Sequence, residues 1–140
     1  MARALVLKEL YFECKNETGF LGRITSALAL EGVYIIHLCA YVMGDKAHFQ
    51  IITKDNFKTR KALSHFISGM LERDILIVEF ENKVGTLAPV AKLLGSHDIG
   101  IHHVYGTSGD GFKIVGIFST TDNERAARLI NEESGALGIS

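Results

Sequence analysis

One six-residue phrase occurs twice in this chain. Asn16-Glu17-Thr18-Gly19-Phe20-Leu21 and Asn82-Lys83-Val84-Gly85-Thr86-Leu87 both read Asn-x-x-Gly-x-Leu, and 85 minus 19 gives an offset of 66 residues. Each copy follows an apolar, strand-like run and opens a helix-like one. A strand that ends in a glycine turn and feeds a helix leaves several backbone N–H groups pointing outward with no partner of their own. The missing Cβ lets a ligand approach those groups, and the helix dipole favours an anion there, such as a carboxylate. The phrase therefore predicts two copies of one small unit, binding a carboxylate-bearing small molecule twice and reporting that binding to something else.

The residues around each phrase repeat as well. Residues 5–13 read as a strand ahead of the first turn, and Leu21, Ile24 and Leu28 form a helical stripe with Gly32 just past its end. Residues 33–42, rich in β-branched and aromatic side chains, predict a second strand. Gly44-Asp45 connects it to a third at 47–53, and Asp55 is the expected N-cap of a helix carrying Ala62, Leu63, Phe66 and Met70 on one face. The second copy runs through a strand at 75–81, a stripe of Leu87, Val90 and Leu94, and a strand at 99–105. A hairpin at Gly109-Asp110-Gly111 and a strand at 112–119 follow. Thr121-Asp122-Asn123-Glu124 has capping-box spacing ahead of Ala126, Ala127, Leu129 and Ile130. The ending, residues 133–140, fits a weak last strand or a frayed tail equally well.

Each repeat thus reads β-α-β-β-α, the split arrangement of ferredoxin-like domains. The expectation is an α+β fold with one repeat at 1–72 and another at 73–140. No separate closing strand fits between Met70 and Ile75. Either the first repeat lacks its fourth strand, or the strand at 75–81 closes the first unit while opening the second. Several strands are apolar on both faces, whereas an antiparallel sheet with one wet face should alternate. A second copy of the chain, or a partner protein, is the expected cover.

Composition excludes several classes of function. With 47% apolar and 22% charged residues in 140, the chain can build a core. Fifteen basic against sixteen acidic side chains give a net charge of -1, no footprint for nucleic acid or an anionic membrane. Lys54, Lys58, Arg60 and Lys61 read as a solvated helix face. The third strands lack the basic-Gly-aromatic pattern of RNA-recognition modules. Cys14 and Cys39 form no Cys-x-x-Cys pair and read as reduced thiols. Lys8 and Glu9 arrive too early for a signal peptide, and no apolar run approaches the roughly 18 residues of a membrane span. A soluble, cytoplasmic protein is expected.

Catalysis has little to stand on. The two cysteines have no evident base beside them, and Glu79 and Glu81 alternate as ordinary strand carboxylates. The glycine-rich run from Gly106 to Gly111 joins two strands, whereas a phosphate loop needs a helix after it. His37 and His103 align at the same offset of 66, with Cys39 and Tyr105 on their respective strand faces. They lack the paired spacing of a metal site and read as ordinary strand or ligand-facing histidines. No cofactor, metal or enzymatic activity is expected. For Asn16 and Asn82 an Asx-turn that only shapes the loop remains open beside ligand contact.

The chain resembles a tandem ACT-domain protein over residues 4–132. The residues that carry the resemblance are Asn16 to Leu21 with Gly32-Val33-Tyr34-Ile35, and Asn82 to Leu87 with Ile99-Gly100-Ile101. Asn16 to Arg23 is also similar to the Asn-Glu-x-Gly-x-Leu-x-Arg stretch of the small regulatory subunit of acetolactate synthase. The resemblance implies two βαββαβ repeats side by side, forming a continuous antiparallel sheet with helices on one face. It implies an amino acid or related small carboxylate bound at the seam between repeats. Asn16, Gly19, Phe20 and Leu21 would face Gly100 and Ile101, while Asn82, Gly85, Thr86 and Leu87 would face Tyr34 and Ile35. The Asn often found on the second strand is Tyr34 in one copy and Gly100 in the other. The turns differ too, with Glu17 and Phe20 in one against Lys83 and Thr86 in the other, so two unlike pockets are expected. The implied role is allosteric sensing, in a homodimer or beside a metabolic enzyme. The alternative is an interaction subunit that docks on such an enzyme with vestigial pockets.

Overall fold

The structure, a computed structural model, describes residues 2–108 and 111–137. The elements run β1 (Arg3–Lys15), α1 (Phe20–Leu30), β2 (Ile35–Met43), β3 (Lys46–Thr53) and α2 (Asn56–Leu63). They continue with β4 (Leu71–Glu81), α3 (Leu87–Ser96), β5 (Ile101–Ser108), β6 (Lys113–Thr120) and α4 (Asn123–Leu137). Two units emerge, Lys8–Arg73 and the flanking chain up to Leu7 and from Asp74 onward. The fold is therefore α+β, with the six antiparallel strands and four helices shared between two similar units.

In the unit Lys8–Arg73, β3 is the middle strand, antiparallel to β2 and to β1; Phe49 lies opposite both Ala40 and Phe12. In the other, β6 is the middle strand between β5 and β4, and Gly116 lies opposite both Gly106 and Val78. Even an irregularity repeats: the register slips between Ile35 and His37, and again between Ile101 and His103. The missing fourth strand has an answer in the length of β4. It starts at Leu71, ahead of the expected Ile75, and its opening residues up to Arg73 belong to the first unit. Likewise β1 starts at Arg3, and its residues up to Leu7 belong to the second unit. A division at 72/73 by sequence keeps residues 1–7 with the first repeat, which differs from this grouping.

Side-chain brackets hold the corners. Asp55 accepts from the Lys58 N–H at 3.0 Å and Asp122 from the Arg125 N–H at 3.0 Å, each satisfying a donor the helix cannot. At the second helix start the cap is thus Asp122; the capping-box candidate Thr121 instead accepts from the Gly100 N–H at 3.0 Å. Asn56 donates to the Lys8 carbonyl, and Asn123 to the Asp74 carbonyl, the same bracket twice. Helix α2 stops at Leu63, short of the expected Phe66 and Met70. Phe66 and Ile67 both return their N–H groups to the Leu63 carbonyl, a tightened last turn that ends it. The C-terminal segment is neither strand nor frayed as far as Leu137, because α4 continues through Gly135. Gly109 and Asp110 of the expected hairpin, and residues 138–140, lie outside the described residues.

Each unit has its own core. Phe12, Ile24, Leu28, Phe49 and Leu63 pack together in the first. Leu76, Val78, Val90, Leu94, Phe118 and Ile130 do so in the second. Of the stripes expected on α1 and α3, Ile24, Leu28, Val90 and Leu94 are buried, whereas Leu21 and Leu87 are exposed and Phe20 and Leu93 are buried instead. No described helix is long and apolar enough to cross a membrane.

Candidate functional site

The two turns share one backbone. Gly19 and Gly85 both sit at φ 85°, in the left-handed region where an L side chain is strained. The N–H of Phe20 bonds the Glu17 carbonyl at 3.2 Å, and that of Thr86 bonds the Lys83 carbonyl at 3.4 Å, the same contact displaced by 66 residues. A Cβ built on either glycine would meet nothing within 4 Å, so the space in front of each turn is open. Pro89 falls in the first turn of α3, where its missing N–H costs no helical bond.

A cavity adjoins each turn, walled by the strands of the same unit. In the second unit it measures about 370 Å³ and is lined by Gly85, Thr86, Leu87 and Lys83 on the turn side. Phe80, Val104, Gly106, Ile114 and Gly116 supply the strand side. In the first unit it measures about 210 Å³, between Asn16, Gly19, Phe20 and Leu21 and the strand residues Ala40, Val42, Ala47 and Phe49. A third hollow of about 500 Å³, on the outer face of α1 beside Phe66, lies open to solvent.

The rims differ in charge. Lys83 pairs with Glu81 at 2.7 Å, and the hydrogen bond it donates to that carboxylate pushes the Lys83 ammonium above its ordinary range. At the first turn Glu17 pairs with Arg23 at 3.2 Å, and the Arg23 guanidinium lies 5.2 Å from the Phe20 ring centroid. The Thr86 hydroxyl folds back to the Glu81 and Lys83 carbonyls, at 2.8 and 3.1 Å.

Of the residues singled out by sequence, Asn16, Gly19, Phe20, Leu21, Gly85, Thr86 and Leu87 line these two cavities. Asn82 instead donates to the Gly111 carbonyl at 3.1 Å and clamps the hairpin. Tyr34, Ile35, Gly100 and Ile101 line neither cavity. Ile35 and Ile101 open the second strands, and just before them Tyr34 O accepts from the Lys54 N–H and Gly100 O from the Thr121 N–H. The cavities use the far ends of those strands, at Ala40 and Gly106. Sequence reasoning passed over Lys83, Gly106, Gly116, Ala40 and Phe49 as site residues. The signal that finds them is the repeat itself, extended from the turns to the hairpins.

The opposite sheet face of the first unit carries a polar cluster. Glu9 is fully buried and accepts from Arg73 at 3.1 Å. Burial pushes its carboxyl above the ordinary range, against the opposing pull of the Arg73 guanidinium. Its other oxygen, Oε2, has no hydrogen-bond partner among the described residues. Arg73 also covers the Tyr11 ring at 4.1 Å, and the Tyr11 hydroxyl meets His48 Nδ1 at 2.8 Å. His37 is half-buried, which lowers its imidazole pKa, and burial raises both the Cys14 and Cys39 thiols. Among the described residues no three His, Cys, Asp or Glu side chains come together as a metal site.

No protein-family model and no curated protein sequence matches the chain. In fold it is similar to a Bacteroides thetaiotaomicron protein at 24% identity, covering 94% of this chain and 90% of that one, with a TM-score of 0.84. It is also similar to the regulatory subunit of aspartate kinase from Thermus thermophilus in its ligand-free form. There the identity is 15% and the TM-score 0.66, over 92% of this chain and 95% of that one. For the same subunit from Thermus flavus the values are 17% and 0.63, over 93% and 95%.

Proposed function

We propose that this chain is a non-catalytic regulatory protein that binds an amino acid or a related small carboxylate beside its glycine turns. The observation that carries this reading is the cavity of about 370 Å³ in front of Gly85, closed on one side by the start of α3. That volume falls in the range of small-molecule sites, roughly 300–1,000 Å³. A carboxylate there meets helix-start amides and the Lys83 ammonium, while an apolar side chain meets Val104, Ile114 and Phe80. The resemblance to the ACT family supports the reading, and so does the shared fold with proteins named as regulatory subunits of aspartate kinase. A metabolic enzyme is accordingly the partner proposed for this chain. Binding acts by favouring one arrangement of the units or of an assembled partner, by as much as the ligand prefers it.

A thermal-shift panel of the proteinogenic amino acids tests the proposal. A ligand at about 100 times its dissociation constant stabilises the fold by roughly 2.7 kcal/mol. No shift with any of them at millimolar concentration removes the sensing role and leaves the chain as an interaction subunit.

A further inference from the structure

We infer that the two cavities have divided roles: only the one at Gly85 takes a guest, while Phe20 and Phe49 narrow the one at Gly19 from within. This rests on the ligand-binding reading above and adds to it which unit binds and what kind of molecule it selects.

The repeat lets the two cavities be compared residue by residue. Phe20 corresponds to Thr86 at the offset of 66, and Phe49 corresponds to Gly116, as their shared register opposite Ala40 and Gly106 shows. In the first unit both positions carry rings. Phe20 is buried at the first position of α1, and its ring meets that of Phe49 edge-on with centroids 5.9 Å apart. Phe49 in turn stacks on Phe12 at 5.0 Å. In the second unit neither ring exists, and Thr86 turns its hydroxyl back to the chain. Phe80 and Ile114 take back part of the room, standing where the first unit has Cys14 and Ala47. The second cavity is still the larger, about 370 against 210 Å³.

Glycine at 116 is required in this arrangement. A Cβ there would come within 2.8 Å of the Phe118 ring and 3.5 Å of Phe80, so a side chain at 116 would have to displace the Phe118 ring to enter the space. The opening beside Thr86 corresponds in position to the Phe20 ring of the other unit. Each rim carries an ion pair, Lys83 with Glu81 and Glu17 with Arg23; the ammonium is the member that lines the larger cavity and the carboxylate the one that lines the smaller. The selected guest is a small carboxylate bearing a bulky apolar group, of leucine or phenylalanine size.

Amide chemical shifts of the full chain, titrated separately with L-leucine and L-phenylalanine, test this. The expected movement is at Gly85, Gly106 and Gly116, with Gly19 and Ala40 unmoved. Thr86→Phe should weaken binding at least tenfold, and Phe20→Thr should bring Gly19 and Ala40 into the response. Movement at both turns in the unaltered protein, at the Gly19 turn alone, or undiminished binding by Thr86→Phe, overturns the division of roles. If neither amino acid moves any amide, the ligand-binding reading loses its support, and pressurised xenon then reads the cavities directly. Uptake beside Gly116 alone sustains the division; uptake at both turns or at neither removes it.

Discussion

Phe20, at the first position of α1, meets Phe49 on β3 edge to face across 5.9 Å, while their counterparts Thr86 and Gly116 bring no ring to the same place. One backbone arrangement is thus used twice with opposite contents. In the first unit the rings are part of the core, so their removal is a stability experiment. Phe49→Ala should cost about 3–5 kcal/mol, the usual loss for a buried phenylalanine, read from the denaturant midpoint. A loss under about 1 kcal/mol would show that the ring does not fill the cavity.

The turn glycines and the strand glycine should respond to alanine for different reasons. Gly19 and Gly85 have room for a Cβ but sit at φ 85°, so each substitution should cost about 1–2 kcal/mol of backbone strain alone. Gly116 carries no such strain; its added methyl instead meets Phe118 at 2.8 Å, and overpacking costs roughly 1–3 kcal/mol. The two causes separate by structure. Near-UV signals from Phe118 and its neighbours should change in Gly116→Ala and stay constant in Gly85→Ala.

Glu9 gives stability a pH dependence of known sign. Its carboxyl is raised, so the folded chain holds this proton to higher pH than the unfolded chain does. The associated stability is full below the ordinary carboxylate pKa and is lost as pH rises through the raised value. Arg73 opposes that loss. Arg73→Met should leave the buried carboxylate unpaired at neutral pH and cost about 2 kcal/mol, less than the roughly 3–5 of a fully buried pair, since Arg73 is partly exposed. The penalty should shrink as the pH falls toward about 4, where the carboxyl is protonated in either protein. Urea midpoints at the two pH values check it, and a penalty that grows on acidification contradicts the assignment.

The turns were legible in the sequence because they depend on local chemistry: a glycine at positive φ, an apolar stripe at helical spacing, an aspartate before a helix. Gly19, Gly85, Asp55 and the stripes through Ile24 and Val90 all follow from such rules. What escaped was set by neighbours distant in the chain. Helix α2 ends at Leu63 because the following residues fold back on its carbonyl, although the apolar spacing continues to Phe66. Strand β4 starts at Leu71 although Glu72, Arg73 and Asp74 interrupt its apolar pattern, since Arg73 finds Glu9 across the sheet. The cavity walls were hidden for a related reason. Gly116 reads as a weak point in a strand until its register with Gly106 and its kinship with Phe49 are known.

Asn131 secures the opening of β1 to the second unit. Its side chain accepts from the Ala4 N–H at 2.8 Å and donates to the Ala4 carbonyl at 2.9 Å, satisfying both backbone groups of one residue. Hydrogen bonds of this kind contribute roughly 0.5–1.5 kcal/mol each. Asn131→Ala should therefore cost about 1–3 kcal/mol in that unit. Its more specific signature is local: amide exchange at Ala4 and Val6 should accelerate about tenfold or more, while Leu10 and Phe12, further along the same strand, keep their protection. The strand divides between the units at Leu7. Uniform acceleration along all of β1 would show instead that the strand opens as one piece, and that this side chain does not anchor its first residues independently.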